Sequence, residues 1–299
     1  MFSLDLFGFR ANWSPFFLLA LLVILVGYFL LVHKYFARFE GGRKAAISEM
    51  AFFSSGILLL YIVKGSPLDL LGHITFYAHM TQMAFLYLVI PPLLIVGLPD
   101  WLWRAVLSRK MVGTVFGFMA KPLIALVLFN GFFSIYHIPL IFDVVKTDMW
   151  LHAVYTSILF VFAIVMWWPL VNQLSEYQTL SGLKKIGYIF ADGILLTPAC
   201  ALIIFADTSL YATFSDPDAW AKALELCVPA SMLAGLSLSG PEMFSSMSLI
   251  EDQQLGGVLM KVIQEIVYGV VLAYSFFSWY KNENAVNDLP PYPKPETVD

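Results

Sequence analysis

The sequence has little charge and few cysteines. Only 13% of its 299 residues are charged, against roughly 25% in soluble domains. A soluble protein of this length needs a larger polar surface, so the surrounding solvent must be largely lipid. The two cysteines, Cys200 and Cys227, are too few for a disulfide framework. The 17 lysines and arginines form no basic stripe, which excludes a nucleic-acid-binding protein.

Short catalytic motifs are missing as well. The chain contains no Walker A sequence, no GxSxG, no HExxH, no CxxC and no GxGxxG. The long inverted repeat of many transporters is not evident either. The sequence therefore indicates no catalysis and does not favour a transporter.

Apolar residues dominate instead, at 60% of the chain. A helix needs about 20 apolar residues to cross roughly 30 Å of hydrocarbon. Seven stretches satisfy this requirement, near residues 15–33, 46–63, 74–98, 116–136, 150–171, 187–206 and 257–280. We therefore predict an all-α, polytopic membrane protein: a bundle of seven transmembrane helices within a lipid bilayer.

The predicted domain organisation is simple. Residues 1–280 form a single transmembrane helical domain, and residues 281–299 form a polar, proline-rich tail. The stretch 219–239 is moderately apolar but contains two charged residues and a proline. We interpret it as an interfacial or re-entrant segment rather than an eighth span.

Basic residues predict the orientation. Lysines and arginines accumulate in the first, third and fifth connections, at 34–45, 99–121 and around 184–185, while the alternate connections hold one lysine apiece. Because cytoplasmic loops are enriched in basic residues, we predict that the N-terminus is outside and the C-terminus cytoplasmic.

This orientation gathers four of the five histidines near the outer side. His79 would lie roughly 9 Å into the third span, and His152 in the first turn of the fifth. Polar groups in hydrocarbon are costly and usually functional, so these two indicate a functional site. His73 and His137 lie at the boundary, where a histidine can equally serve as a headgroup anchor.

Two chemistries suit these residues. Met83 follows His79 by four residues and shares its helix face, and imidazole with thioether suits copper. Cys200, at a similar depth, is a possible further soft ligand, although Met and Cys are also common packing residues. Two histidines from different helices could instead ligate haem. Spacing alone does not separate copper from haem.

Other polar residues lie inside the predicted spans. Lys261 and Glu265 are four residues apart and can pair on one helix face. Asn130, Asp192 and Thr197 can form hydrogen bonds between helices.

Four motifs in order, HMTQMAFLYLVIPPLLIVGLP, YHIPLIFD, WLHAVYTSILFVFAIVMWWPLV and DQQLGGVLM, resemble the CtaG family of multi-span cytochrome c oxidase assembly factors. The resemblance covers about residues 70–280. It implies a multi-pass protein of the bacterial cell membrane that partners cytochrome c oxidase subunits and is required for an active haem-copper oxidase.

The family's motif positions carry over to individual residues of this chain. They fall on His79, Gln82, His137, Pro139, His152, Asp252, Gln253, Gly256 and Gly257. Two positions depart from the family pattern, because Met83 and Thr156 stand where many relatives have histidine. The chain thus keeps three outer histidines rather than five.

Together these observations predict a copper-binding site of His79, His137 and His152, supported by Met83 and Asp252. The expected function is assembly of a haem-copper oxidase by insertion of copper from the outer side. The alternatives are a metal or small-solute permease and a haem-binding membrane redox protein.

Overall fold

The computed structural model describes residues 4–233 and 240–287, and every regular element within these ranges is helical. In chain order the α-helices are α1 Gly8–Trp13, α2 Pro15–Leu30, α3 Ile47–Gly65, α4 Pro67–Ile74, α5 Phe76–Ala84, α6 Ile90–Gly97, α7 Asp100–Leu107, α8 Lys110–Met119, α9 Pro122–Tyr136, α10 Pro139–Lys146, α11 Met149–Val171, α12 Gly182–Ile204, α13 Ala212–Ser215, α14 Pro217–Leu224, α15 Ala230–Leu233 and α16 Leu249–Asn287.

Among the residues that the structure describes, six helical stretches are long and apolar enough to cross a membrane. They are Leu4–Arg38, Ile47–Gly65, Phe76–Gly97, Met149–Val171, Gly182–Ile204 and Leu249–Lys281. A seventh span exists only if α8 and α9, which are bent by 79° relative to each other, count as one. The predicted all-helical, multi-pass architecture is therefore confirmed, with six to seven candidate spans.

The bend between α8 and α9 changes the shape of the fourth predicted span. Lys121 is extended, with φ −61° and ψ 131°, and Pro122 opens α9. A residue before proline avoids helical angles, so the predicted continuous helix over 116–136 stops here. The remaining 15 residues of α9 extend only about 22 Å at 1.5 Å per residue.

A pair of prolines, by contrast, does not break the third span. A π-helical turn, Phe85–Val89, joins α5 to α6 before Pro91 and Pro92. Pro91 has no N–H for the carbonyl of Tyr87, four residues earlier. The indole of Trp167 donates to that carbonyl at 3.0 Å, so α11 satisfies the oxygen that proline leaves free.

Alternate connections meet at opposite ends of the bundle. At one end, Arg43 contacts Asp100 at 3.4 Å and Arg104 contacts Glu176 at 2.8 Å, which joins the first, third and fifth connections. These connections carry the basic residues, so the loops that the charge pattern groups together share one end of the molecule.

The other end is covered by short helices that we call the cap, residues 66–75, 137–148 and 207–233. Trp220 of α14 donates to the carbonyl of Ile74 at 3.1 Å. Asp143 of α10 accepts hydrogen bonds from the backbone and hydroxyl of Thr213 at 3.0 and 2.9 Å. The stretch 219–239 thus contributes α14 and α15 to the cap, and its residues 234–239 lie outside the described residues.

The seventh predicted span and the tail also differ from expectation in extent. Helix α16 begins at Leu249, eight residues before the predicted start at 257, and continues to Asn287. The first residues of the predicted polar tail are therefore helical, and residues 288–299 lie outside the described ranges.

A polar network crosses the middle of the bundle. Asn130 of α9 and Tyr268 of α16 both donate to Asp192 of α12, each at 2.5 Å. The predicted interhelical hydrogen bonds of Asn130 and Asp192 are thus present. Lys261 and Glu265 also pair as predicted, at 2.8 Å along α16.

Candidate functional site

The position of His79 is fixed where α5 meets α16. The carboxylate of Asp252, in the first turn of α16, accepts the backbone N–H groups of Phe76 at 2.8 Å and Tyr77 at 3.0 Å. These are first-turn N–H groups of α5 with no partner inside their own helix, and a negative charge at a helix N-terminus is favourable. Asp252 therefore holds α5 through both carboxylate oxygens, each of which keeps a further lone-pair site, and its role in metal binding stays a prediction.

The glycines of the same motif permit this contact. A Cβ at Gly256 would lie 2.7 Å from the ring of Phe76 and 3.1 Å from the Cα of Tyr77. A Cβ at Gly257 would lie 2.7 Å from Ile204 at the end of α12. The adjacent glycines thus let α16 approach α5 and α12 at the same level. Gln253 joins α16 to the cap, because its side-chain oxygen accepts the N–H of Leu210 at 2.8 Å.

A buried lysine lies beside His79. Lys146, the last residue of α10, is fully buried, and its amine contacts the Nδ1 of His79 at 3.3 Å and the carbonyl of Gly72 at 3.2 Å. The imidazole packs edge-on against the ring of Phe142, with centroids 5.2 Å apart. The Nε2 of His79 is buried without a hydrogen-bond partner in the described part of the chain.

The protonation of Lys146 controls which nitrogen of His79 carries a proton. Burial, with a smaller contribution from the positive charge of Lys64, lowers the pKa of Lys146 to about 7. A charged amine can only donate, so it would place the imidazole proton on Nε2. A neutral amine can accept from Nδ1–H and leaves the Nε2 lone pair free for a ligand. The contact thus allows the protonation of Lys146 to influence the tautomer of His79.

His137 lies beside Phe142, with ring centroids 6.3 Å apart. It is buried at the C-terminal end of α9, where its Nδ1 contacts the carbonyl of Phe133 at 2.7 Å. Its own carbonyl accepts the hydroxyl of Tyr211 at 2.9 Å, which attaches the cap to α9. Burial lowers the pKa of His137 to about 4, so the ring is neutral. Its Nε2 has no partner within residues 4–233 and 240–287.

His152 pairs with His73 rather than with His79. The rings of His73 on α4 and His152 on α11 meet edge to face, with centroids 5.7 Å apart. Each has a buried Nδ1 that lacks a hydrogen-bond partner among the described residues. Burial, together with the charge of Lys146, lowers the pKa of His73, so this ring is neutral.

His73 also belongs to a cluster of potential metal ligands. One ligand atom each from Asp69, His73 and Cys227 lies within 4.8 Å of the others. Lys64 and Gln82 donate to the Oδ1 of Asp69 at 2.5 and 2.6 Å. Burial, and next the charge of Asp69, raises the pKa of the Cys227 thiol. The cluster combines a thiol, an imidazole and a carboxylate in one place.

The predicted ligands do not converge in this way. Within the described ranges, Asp69, His73 and Cys227 are the only His, Cys, Asp or Glu residues that form such a group of three. His79, His137 and His152 do not form such a group in the described part of the chain. Met83 is buried one turn after His79, and Cys200 is buried in α12 without joining a ligand group among the described residues. The prediction of a copper site at these residues stays a prediction.

Sequence reasoning missed Asp69, Lys146 and Cys227. A local signal existed for the first, because Asp69 precedes His73 by four residues and shares its helix face. Lys146 counted only as a loop charge, and Cys227 only in the search for disulfides. Both reach the site through contacts with residues more than 60 positions away, which no local pattern records.

A cavity of about 1090 Å³ lies at the opposite end of the bundle, between α3, α6, α11, α12 and α16. Its lining is mostly apolar, with Glu49, Asn172 and Lys185 among the polar exceptions. The described histidines of the cap are absent from it. The cavity and the candidate ligands are therefore separate features.

Comparison with known proteins identifies the family. The family model described as cytochrome c oxidase caa3 assembly factor (Caa3_CtaG) matches residues 26–282. No curated protein and no solved structure matches the chain. The matched range includes all the spans after the first, the cap and the buried cluster around His79. The chain is a multi-pass membrane protein that belongs to the Caa3_CtaG family of cytochrome c oxidase caa3 assembly factors.

Proposed function

We propose that this protein assists the assembly of a haem-copper cytochrome c oxidase in a bacterial cell membrane, where it contacts oxidase subunits within the bilayer. The family match over residues 26–282 carries this proposal. The candidate membrane spans support it, because an oxidase core is itself embedded in lipid and a factor that acts on it must reach the same medium.

The assembly step that we propose is the provision of copper from the cap end. Two observations support copper. The Nε2 atoms of His79 and His137 are buried without hydrogen-bond partners in the described residues, and imidazole nitrogen binds copper in either oxidation state. Thioether and thiol groups, the soft ligands of Cu(I), lie at the same end in Met83 and Cys227.

We also propose that the cap faces the outside and the basic connections face the cytoplasm. The distribution of lysine and arginine supports this orientation. The copper-binding side chains would then lie in the outer half of the protein, and the residues of this chain would bind and orient the ion rather than catalyse a reaction.

A deletion strain of the bacterium that carries this gene tests the proposal. We expect membranes of the deletion strain to lose cytochrome c oxidase activity, and a plasmid copy of the gene to restore it. The oxidase polypeptides and their haem spectra should persist while the copper content of the purified oxidase falls. Normal oxidase activity in the deletion strain would refute the assembly role.

A second measurement separates the copper step from assembly in general. If the oxidase from the deletion strain is inactive but contains its full complement of copper, the protein acts on another step. His79→Ala should reproduce the copper deficiency when oxidases are compared at equal levels of the assembly protein, because the change removes a ligand and also leaves the buried amine of Lys146 without this partner.

A further inference from the structure

We propose that Asp69, His73 and Cys227 form a binding site for Cu(I), with His152 as the fourth ligand. One potential ligand atom from each of the first three lies within 4.8 Å of the other two. A metal ion can bridge atoms at this separation after small side-chain movements, since metal–ligand bonds are about 2.0–2.3 Å long. Of the residues named above for copper, this site includes Cys227 and His152 but not His79 or His137.

Two rigid elements hold these ligands. Asp69 and His73 are four residues apart on α4, so both project from one face of that helix. Cys227 follows α14, and its N–H donates to the carbonyl of Leu224 at 3.0 Å. The hydrogen bond from Trp220 to Ile74 fastens α14 to the end of α4. The ligands are thus positioned before any ion arrives.

The two oxygens of the Asp69 carboxylate have different partners. Its Oδ1 accepts from Lys64 at 2.5 Å and from Gln82 at 2.6 Å. Its Oδ2 faces the thiol of Cys227 at 3.7 Å. Lys64 and Gln82 orient the carboxylate as outer-shell partners orient ligands in metal sites, and Oδ2 is the oxygen directed at the ion.

The imidazoles complete the set. His73 is 2% exposed, and its Nδ1 has no hydrogen-bond partner within the described ranges. The ring of His152 lies 5.7 Å from that of His73, and its Nδ1 is buried and equally without a partner in the described chain. Buried polar atoms are nearly always hydrogen-bonded, so two such nitrogens on neighbouring rings need an explanation, and a bound ion provides one.

The local charge selects a monovalent ion. Lys64 already neutralises Asp69, and the fully buried amine of Lys146 lies nearby, with Gly72 of α4 as one of its partners. When Cu(I) replaces the thiol proton of Cys227, an S–H bond becomes an S–Cu bond, the proton passes to solvent and the charge of the site is unchanged. A divalent ion would add one uncompensated positive charge in a buried setting, which is costly.

This inference rests on the proposed function only for the biological use of the bound copper. Metal binding by the purified chain does not depend on oxidase assembly. Within that function, Asp69, His73, Cys227 and His152 are the residues that would hold copper at the cap.

Protection of a thiol from alkylation tests the site without altering any ligand. Cys200→Ser leaves Cys227 as the single cysteine of the full-length protein. In detergent, under anaerobic and reducing conditions, Cu(I) should slow the reaction of Cys227 with a maleimide at least about ten-fold, as expected for a thiol engaged as a metal ligand. An unchanged alkylation rate would overturn the proposal. Equal protection by Zn(II) would overturn the choice of ion.

Affinity measurements with matched variants give the second test. In competition with a chromogenic Cu(I) chelator, Cys227→Ser should bind Cu(I) at least about ten-fold more weakly, since loss of even an outer-shell partner costs that much. Cys200→Ser, at the other cysteine, should bind like the unaltered protein. Equal affinity of Cys227→Ser and Cys200→Ser would refute the site.

The cell-based result distinguishes this inference from the proposed function. If Cu(I) protects Cys227 but the deletion strain has normal oxidase activity, the site stands and the assembly role fails. If the deletion strain lacks oxidase activity while neither protection nor loss of affinity is observed, the assembly role stands and this site is refuted.

Discussion

At the scale of the residue, Lys146 is the side chain whose environment departs most from its ordinary chemistry. An amine at the end of a cap helix would normally extend into water, yet this one is fully buried between Gly72 and His79. Its neighbour Asp143 is engaged by Thr213 and Ala212 instead. The cap thus places the amine of Lys146 next to the imidazole of His79, the histidine of the first family motif.

The first prediction concerns the pH dependence of stability. The pKa of Lys146 falls from 10.5 to about 7 on folding, so between these values the unfolded chain binds more protons than the folded one. Stability must then rise with pH across this interval, and the cost of burying the charge is fully present below pH 7. Lys146→Met should raise the thermal unfolding temperature at pH 7 and flatten its rise between pH 7 and 9.5.

Differential scanning fluorimetry in detergent measures this effect. Lys222→Met is the matched control. Because Lys222 is exposed on α14, its replacement should leave the pH profile unchanged. If Lys146→Met and Lys222→Met give the same profile as the unaltered protein, Lys146 does not change its charge on folding in this pH range.

At the scale of the element, helices α5 and α11 depend on each other. The double proline that follows α5 leaves carbonyls of the π-helical turn without their usual donors. Trp167 of α11 supplies one of the missing hydrogen bonds, to Tyr87 at 3.0 Å. The broken third span is therefore a feature of two helices, and its stability depends on a residue 80 positions away.

Trp167→Phe tests this dependence. The phenyl ring preserves most of the buried apolar surface but leaves the carbonyl of Tyr87 unpaired, at a cost of about 1–3 kcal/mol. We expect a lower unfolding temperature and a lower protein level in membranes. Trp150→Phe, at a site where the tryptophan is 79% exposed, should change neither. A Trp167→Phe variant as stable as Trp150→Phe would mean that the indole N–H contributes nothing.

The close approach of helix α16 to α5 requires a residue without a side chain at position 256. Gly256→Ala would place a Cβ 2.7 Å from the ring of Phe76 and 3.1 Å from the backbone of Tyr77. Because both flank the N–H groups held by Asp252, the helix contact must shift. We expect a destabilisation of about 1–3 kcal/mol, as for other overpacked sites, and reduced oxidase activity in complementation.

Gly269→Ala is the control for that substitution. It lies on the same helix, and a Cβ there meets no atom within 4 Å. Alanine is also the better helix former by roughly 1 kcal/mol, so Gly269→Ala should be neutral or slightly stabilising. Equal loss of protein in both variants would indicate a general effect of the substitution on α16 rather than crowding against α5.

At the scale of the whole molecule, the two ends of the bundle have different chemistry. One end carries the ion pairs of Arg43, Asp100, Arg104 and Glu176 between exposed loops. The other carries buried imidazoles, a buried amine and a thiol beneath the cap. The groups that could bind a metal are therefore concentrated at the cap end.

Reporter fusions test the orientation of these ends. A reporter fused after Lys184 should be active in its cytoplasmic form, whereas one fused after Asp148, at the cap end, should be active only in its exported form. A cytoplasmic signal after Asp148 would reverse the orientation and place the buried cluster on the inner side. Fusions in the second connection, near Ser66, provide the control because they must agree with those after Asp148.

The sequence by itself determined the membrane class and the helical architecture. Hydropathy is a local sum over about 20 residues, so the stretches that became α3, α11 and α12 were recognisable from their own composition. The same holds for the pairing of Lys261 with Glu265, which follows from a spacing of four residues along one helix. The family motifs were equally local.

Only the tertiary structure decided where the chemistry lies. The convergence of Asp69, His73 and Cys227 depends on α14 docking against α4, and the burial of Lys146 depends on α4 and α5 closing over α10. The 79° bend before Pro122 interrupts a span that we predicted as continuous over 116–136. Helix rotation, tilt and crossing fix which side chains from distant segments meet, and a one-dimensional pattern of apolar residues contains none of these three quantities.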